Sequence, residues 1–271
     1  MNKGAHKKYL GQVEVRFNSS IFLNYRSLGH CGVELVEKRD LKMATLTGKT
    51  ALVTGGSKGI GASIAKALAA EGASVVVNYA SSKAGADAVV DAITAAGGSA
   101  FAVQGDIAQE ADAQALVNAT VQRFGGVDIV VNNGGVYEFS DIESISVDHF
   151  RRMFDVNVLG TLLVTKAAVP HLKSGASVIN ISSNITTMLM PQSAVYSGSK
   201  AAIDAVTVVL AKELGPRGIR VNAINPGMVA TEGVAAAGFD QPDFAAQIIA
   251  QTPLGRIGQR GPVMILRHLA K

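Results

Sequence analysis

From Thr50 onward, short apolar runs alternate with longer stretches in which apolar residues recur every three or four positions. Short runs of that kind read as buried strands, and the longer period reads as amphipathic helix. The pattern predicts strands at Thr50–Val53, Ser74–Val77, Ala100–Gln104, Asp128–Val131, Ser177–Ile181 and Ile219–Ile224. Between them it predicts helices over Ile60–Glu71, Ala84–Ala96, Glu110–Phe124 and Val147–His171, and one that holds Tyr196 and ends at Leu214. Strands alternating with helices of this length imply βαβ crossovers and a parallel sheet. Right-handed connections then place helices on both faces, a single doubly wound α/β domain.

Residues 1–42 break this pattern. They have no sustained period of 2 or 3.6 and none of the Ala/Gly/Val texture that follows. Met43-Ala-Thr-Leu-Thr-Gly-Lys reads as a start just ahead of the first strand. The expectation is a disordered or misannotated extension over 1–42, with Met43 as initiator, and one folded domain over 43–259.

Length and composition narrow the picture. The 271 residues suffice for one large core, and alanine, glycine and valine suit close packing of helices on a sheet. No apolar run approaches the ~20 residues of a membrane span. The single cysteine, Cys31, excludes an internal disulfide and favours a reducing, cytoplasmic setting. The net charge of +4 is located in the first 42 residues, which hold eight Lys/Arg against four acids; 17 of each remain after them. A neutral body has no basic patch for nucleic acid. The histidines follow no ligand spacing, so no metal site is predicted.

Three groups of residues carry chemistry. Thr54-Gly-Gly-Ser-Lys-Gly-Ile-Gly61 follows the first strand and opens the first helix. That is the context in which glycines let a backbone approach a pyrophosphate, with free N–H groups at the helix start. The second strand ends Val77-Asn78-Tyr79-Ala80-Ser81-Ser82 without an acid. A ribose 2′-hydroxyl is usually held by Asp or Glu at that place. Asn78, Ser81 and Ser82 can instead donate to a 2′-phosphate, and Lys58 adds positive charge, so NADP(H) is expected over NAD(H). Finally, Tyr196 and Lys200 share one face of a helix, with Ser183 upstream. Tyr-x-x-x-Lys alone is an unspecific signal, but an ammonium beside a phenol lowers its pKa and makes it a usable acid–base group.

With these residues assembled, the chain from about Gly48 to Gln259 resembles the short-chain dehydrogenase/reductase family, and within it the 3-oxoacyl-acyl-carrier-protein reductases. Thr54–Gly61 is similar to the family's glycine turn, Asn132-Asn-Gly-Gly135 to its Asn-Asn-Ala-Gly with Gly134 in place of alanine, and Pro226-Gly227 to the stretch over the nicotinamide. The resemblance implies a Rossmann-type sheet and a catalytic set of Asn157, Ser183, Tyr196 and Lys200. In it Tyr196 donates the proton and Lys200 lowers the pKa of Tyr196 and binds the nicotinamide ribose. Ser183 holds the substrate oxygen and Asn157 holds a relay water. Cofactor contacts are expected from Gly55, Ser57, Lys58, Gly59, Ile60 and Gly61 in the turn, and from Asn78, Ser81 and Ser82 after the second strand. Asp106 and Ile107 near the adenine, Asn133 and Gly134, and then Pro226, Gly227, Val229 and Thr231 complete the cofactor set together with Tyr196 and Lys200.

The implied reaction is hydride transfer between NADPH and a ketone or secondary alcohol. A sugar dehydrogenase, a nucleotide-binding protein without turnover and a damaged family member are the alternatives. Met228–Ala250 is expected to form a lid whose small apolar residues suit an uncharged or acyl substrate. Arg151, Arg152 and Arg256 would serve an acyl-carrier protein. Residues 260–271 depart from the family pattern. They predict a truncated or frameshifted end, a missing last edge strand and a homo-oligomer whose tetrameric form is in doubt.

Overall fold

A computed structural model describes residues 13–16, 46–236, 238–239 and 241–259. Six parallel strands form the sheet: β2 (Thr50–Val53), β3 (Ser74–Tyr79), β4 (Ser99–Gln104), β5 (Ile129–Asn132), β6 (Ser177–Ile181) and β7 (Arg220–Pro226). A four-residue strand, β1 (Val13–Arg16), lies outside β7, and the spatial order is β1-β7-β6-β5-β2-β3-β4. The order reverses between β2 and β5, which places a crevice at the C-terminal ends of the strands.

Helices cover both faces. On one side α1 (Gly59–Ala70) and α2 (Lys83–Ala95) pack Ile64, Leu68 and Val89 against Val53, Val75 and Val77. On the other side α3 (Glu110–Phe124) and α5 (Gly160–Ala168) pack Leu116, Val117 and Val164 against Leu52, Val76 and Val130. Successive strand residues thus serve alternate cores, as the two-residue period of a strand requires. β2, β5 and β6 are buried at every position, which is why apolar residues dominate them.

As expected, the described residues form six parallel strands without a seventh at the end of the chain, but other features were not foreseen. The edge beside β7 is not bare: Val13–Arg16 pairs with it antiparallel, Val13 opposite Pro226 and Arg16 opposite Ala223. The leading segment thus holds a strand at these four residues. An open edge presents unpaired N–H and C=O groups, and an alternating Val-Glu-Val-Arg segment can satisfy them. The rest of 1–42, Met43 and residues 260–271 lie outside the described residues.

The predicted helix over Val147–His171 is interrupted. α4 (Val147–Phe154) passes through a π-helical turn at Asp155–Leu159 before α5, and a 3-10 turn at Val169–His171 ends it. Two helical stretches, Val147–His171 taken across its π-turn and Ala194–Arg217, also reach the length and mean hydropathy of a membrane span. Alanine, valine and leucine raise their hydropathy, and both lay a packed face on the sheet. The second stretch begins with α6 (Ala194–Leu214).

Candidate active site

The glycine turn closes on itself so tightly that side chains are excluded. A Cβ on Gly55 would lie 2.8 Å from Gly134 Cα, and one on Gly61 would lie 2.4 Å from the Gly55 carbonyl oxygen. Thr54 Oγ1 accepts the backbone N–H groups of Asn133 (3.0 Å) and Gly134 (2.9 Å). Asn133 Nδ2 donates back to the carbonyls of Thr54 and Gly55. The ends of β2 and β5 are thereby locked on either side of the crevice. Lys58, at the N-cap of α1, makes no side-chain cap, so the helix start is served from elsewhere: Gly59 N–H donates to Glu232 Oε2 at 3.2 Å. A turn that excludes Cβ atoms, set at an N-terminus that already draws a carboxylate, fits a dinucleotide pyrophosphate.

The cleft has a volume of about 750 Å³. Gly55, Ser57, Lys58, Gly59, Ile60 and Gly61 line one end, with Asn78, Ser81, Ser82, Asp106 and Ile107 beyond them. Asn133, Gly134, Pro226, Gly227, Val229 and Thr231 line its middle, and Ser183, Tyr196 and Lys200 its inner wall.

Asn78 has another task than the one expected of it. It is buried, its Oδ1 accepts Gly55 N–H at 3.2 Å and its Nδ2 donates to the Gly105 carbonyl at 3.0 Å. Both ends of the amide hold backbone. Asp106 Oδ1 accepts Ala108 N–H and caps its own loop at the rim.

Asn157 sits in the π-turn, buried, and does not line the cleft. Its Oδ1 accepts Val136 N–H at 2.8 Å, and its Nδ2 donates to the Val136 carbonyl (2.9 Å) and to Ser199 Oγ (3.0 Å). A carboxamide has two donors, and both are used. The side chain therefore anchors the loop after β5 to α6.

Lys200 is buried and Nζ donates to the Ile181 carbonyl at 2.9 Å. Burial lowers its pKa to about 8, and the Asp204 carboxylate, one turn along α6, opposes that shift. Tyr196 hydrogen-bonds Ser183, and Lys200 Nζ lies 6.0 Å from its ring centre. The phenol is raised above its ordinary value by burial, with the Ser183 hydrogen bond pulling the other way. In the protein alone, burial therefore outweighs the Ser183 hydrogen bond.

Several contributors escaped the sequence reading. Asn225 Nδ2 donates to both carboxylate oxygens of Asp204 (3.2 Å each) and to the Ser183 carbonyl at 3.3 Å. Asp204 stands four residues after Lys200, so the helical period was an available signal. Behind the site runs a buried polar ladder: Asn132 Nδ2 donates to Thr165 Oγ1 and Asn180 Oδ1, and Asn180 Nδ2 to Thr207 Oγ1. The lid region contains α7 (Glu232–Ala236) and α8 (Pro242–Gln251) and is pinned where Gly258 N–H donates to the Met228 carbonyl and Ala230 N–H to the Gly258 carbonyl.

A family model for short chain dehydrogenase matches residues 49–241. The chain belongs to the short-chain dehydrogenase/reductase family. It is 63% identical over 217 residues to an uncharacterized oxidoreductase of Methylorubrum extorquens, covering 80% of this chain and 88% of that one. It is 40% identical over 220 residues to a 3-oxoacyl-[acyl-carrier-protein] reductase of Synechocystis, covering 80% and 86%. A short chain dehydrogenase of Burkholderia cenocepacia solved in complex with NADP superposes with a TM-score of 0.76 at 37% identity, over 82% of this chain and 89% of that one. As in that family, the chain is an oxidoreductase with a parallel Rossmann sheet and a nicotinamide cofactor site.

Proposed function

We propose that this short-chain dehydrogenase is an NADPH-dependent reductase of ketones, running in reverse as an alcohol dehydrogenase. One observation carries the reading: Ser183, Tyr196 and Lys200 face the same cleft as the glycine turn. Bound NADP(H) supplies or accepts the hydride at the carbonyl carbon. The protein's own groups do the rest. Ser183 Oγ and the Tyr196 hydroxyl bracket the carbonyl oxygen, where charge grows as the hydride arrives. Tyr196, kept protonated at neutral pH by its raised pKa, gives its proton to that oxygen. Lys200 re-supplies it across the inner wall of the cleft, positioned by Ile181 and Asp204.

The NADPH preference rests on the end of β3, where Ser81, Ser82 and the exposed Lys58 face the cleft and no carboxylate opposes a phosphate. Titration with NADPH and NADH, followed by cofactor fluorescence, tests it. Tighter NADPH binding supports the reading, and equal affinities reject it.

A second copy of the chain is the expected partner. Phe150 stacks on Phe154 at 4.3 Å on α4, and Phe150, Leu159 and Leu162 are exposed, as are Val208 and Val209 on α6. Such an apolar face suits a homo-oligomer, which light scattering would size. Docking of an acyl-carrier protein has weaker support: Arg152 is paired with Glu138, and Arg256 is also engaged. The single cysteine agrees with a cytoplasmic enzyme.

A further inference from the structure

The chain is poor in aromatic residues, with nine Phe, five Tyr and no Trp in 271 positions. Five of those fourteen rings nevertheless gather at the substrate end of the cleft: Tyr137, Phe139, Tyr196, Phe239 and Phe244. They form one connected set. Tyr196 meets Tyr137 edge-on at 6.2 Å and Phe139 at 6.0 Å. Phe139 meets Phe239 edge-on at 5.2 Å, Tyr137 meets Phe239 at 6.3 Å, and Phe239 meets Phe244 at 5.2 Å. They come from three distant places, the loop after β5, the start of α6 and the lid, so no local sequence preference accounts for the gathering.

Met188, Met190 and Met228, three of the seven methionines, line the same cleft. Thioethers adapt to irregular apolar ligands and contact rings favourably. Charge is scarce there. Among the cleft-lining residues the charged side chains are Lys58 and Asp106 at the nucleotide end, Lys200 at the catalytic wall, and Arg152, which is paired with Glu138.

We propose that the substrate is a flat, uncharged aromatic or fused-ring ketone, held against the faces and edges of Phe139, Tyr137 and Phe239 with its carbonyl at Tyr196. The inference rests on the ketone-reductase reading and narrows it. Rings recognise rings by offset or edge-to-face contact beyond the area they bury. A polyol would leave its hydroxyls without partners against these walls, and a flexible acyl chain would gain little from ring geometry. The reaction balances as in any carbonyl reduction. The hydride from NADPH forms the new C–H bond, the C=O π pair takes the Tyr196 proton as O–H, and NADPH leaves as NADP+.

The test is steady-state reduction by the full-length enzyme with NADPH. The probes are 2-tetralone, cyclohexanone and the N-acetylcysteamine thioester of acetoacetate, with D-glucose plus NADP+ in the oxidising direction. Expected is a kcat/KM for 2-tetralone at least about tenfold above each of the others. Phe139→Leu and Phe239→Leu should lower the 2-tetralone value several-fold more than the cyclohexanone value. Leucine keeps the apolar volume, so loss of fold does not cloud the comparison, and melting curves check it. Turnover of the thioester, glucose or cyclohexanone at or above the 2-tetralone rate overturns the aromatic proposal and leaves the reductase reading intact. NADPH binding without turnover of any carbonyl overturns both.

Discussion

Asn157 Nδ2 donates to Ser199 Oγ at 3.0 Å, and Ser199 Oγ in turn donates to the Tyr196 carbonyl at 2.8 Å. The π-turn of the interrupted central helix is thus fastened to the first turns of α6, the helix that presents Tyr196 and Lys200. Ser199 itself is fully buried and touches neither cofactor nor substrate space.

Ser199→Ala removes this fastening without altering the proton donor. Leaving a buried amide donor unpaired costs about 1–3 kcal/mol. If that cost falls on the alignment of Tyr196, kcat drops roughly tenfold while the KM for ketone changes little. Steady-state kinetics of Ser199→Ala beside Ser199→Thr, which restores the hydroxyl, read this out. A change confined to melting temperature would make the contact purely structural.

The Lys200–Asp204 pair predicts a pH dependence. Burial lowers Lys200 to about 8 and Asp204 holds it up. If the ammonium re-supplies the proton, as proposed, kcat/KM for reduction falls on the alkaline side with a limb near that value. Asp204→Asn removes the opposing charge, the pKa drops further, and the limb moves to lower pH. A pH–rate profile of both proteins checks the sign. An unchanged or upward-moving limb contradicts the assignment.

Gly134 stands where the family motif has alanine, and a side chain there would meet Ile107. A Cβ at this position would lie 2.7 Å from Ile107 Cδ1 and 3.2 Å from Thr54 Oγ1. Gly134→Ala forces the Ile107 methyl, the free end of a flexible side chain, to shift, at the low end of the ~1–3 kcal/mol typical of overpacking, with about 2–4 °C in Tm per kcal/mol for a domain of this size. Ile107→Val deletes the clashing methyl, so the double variant recovers part of the loss. Thermal melts of the four proteins in the cycle measure the coupling.

Much of this was legible along the chain because the relevant signals are local. The glycine turn, the Tyr196–Lys200 spacing and the apolar strands each depend on neighbours a few residues apart. What escaped depends on chain segments far apart. The pairing of Val13–Arg16 with β7 joins residues some two hundred positions apart, and a four-residue alternation is too short to announce it. Asn157 was legible as a site residue, but not its partners, because nothing local links it to Val136 or Ser199. Asn78 read as a phosphate donor because its amide looked free. Only the fold brings Gly55 N–H and the Gly105 carbonyl to it. The ring cluster was hidden for the same reason, since its members are separated by as much as a hundred residues.

Glu232 bears on cofactor entry. Its carboxylate accepts Gly59 N–H at the start of α1, in the turn that fits the pyrophosphate. Two anions compete for that N-terminus. Glu232→Gln keeps the shape and removes the charge, so NADPH binds roughly two- to fivefold more tightly, in line with about 0.3–1 kcal/mol for a charge at a helix end. Fluorescence titration of the two proteins measures the ratio, and weaker binding in the variant would contradict the competition.

The central claim is that Tyr196 is the proton donor of an NADPH-dependent carbonyl reductase. It is tested most directly by the turnover of Tyr196→Phe beside wild type, with NADPH binding measured on the same samples. Both proteins are expected to bind NADPH alike, and the variant to lose turnover by about 10²–10⁴-fold. Undiminished turnover by Tyr196→Phe would contradict it.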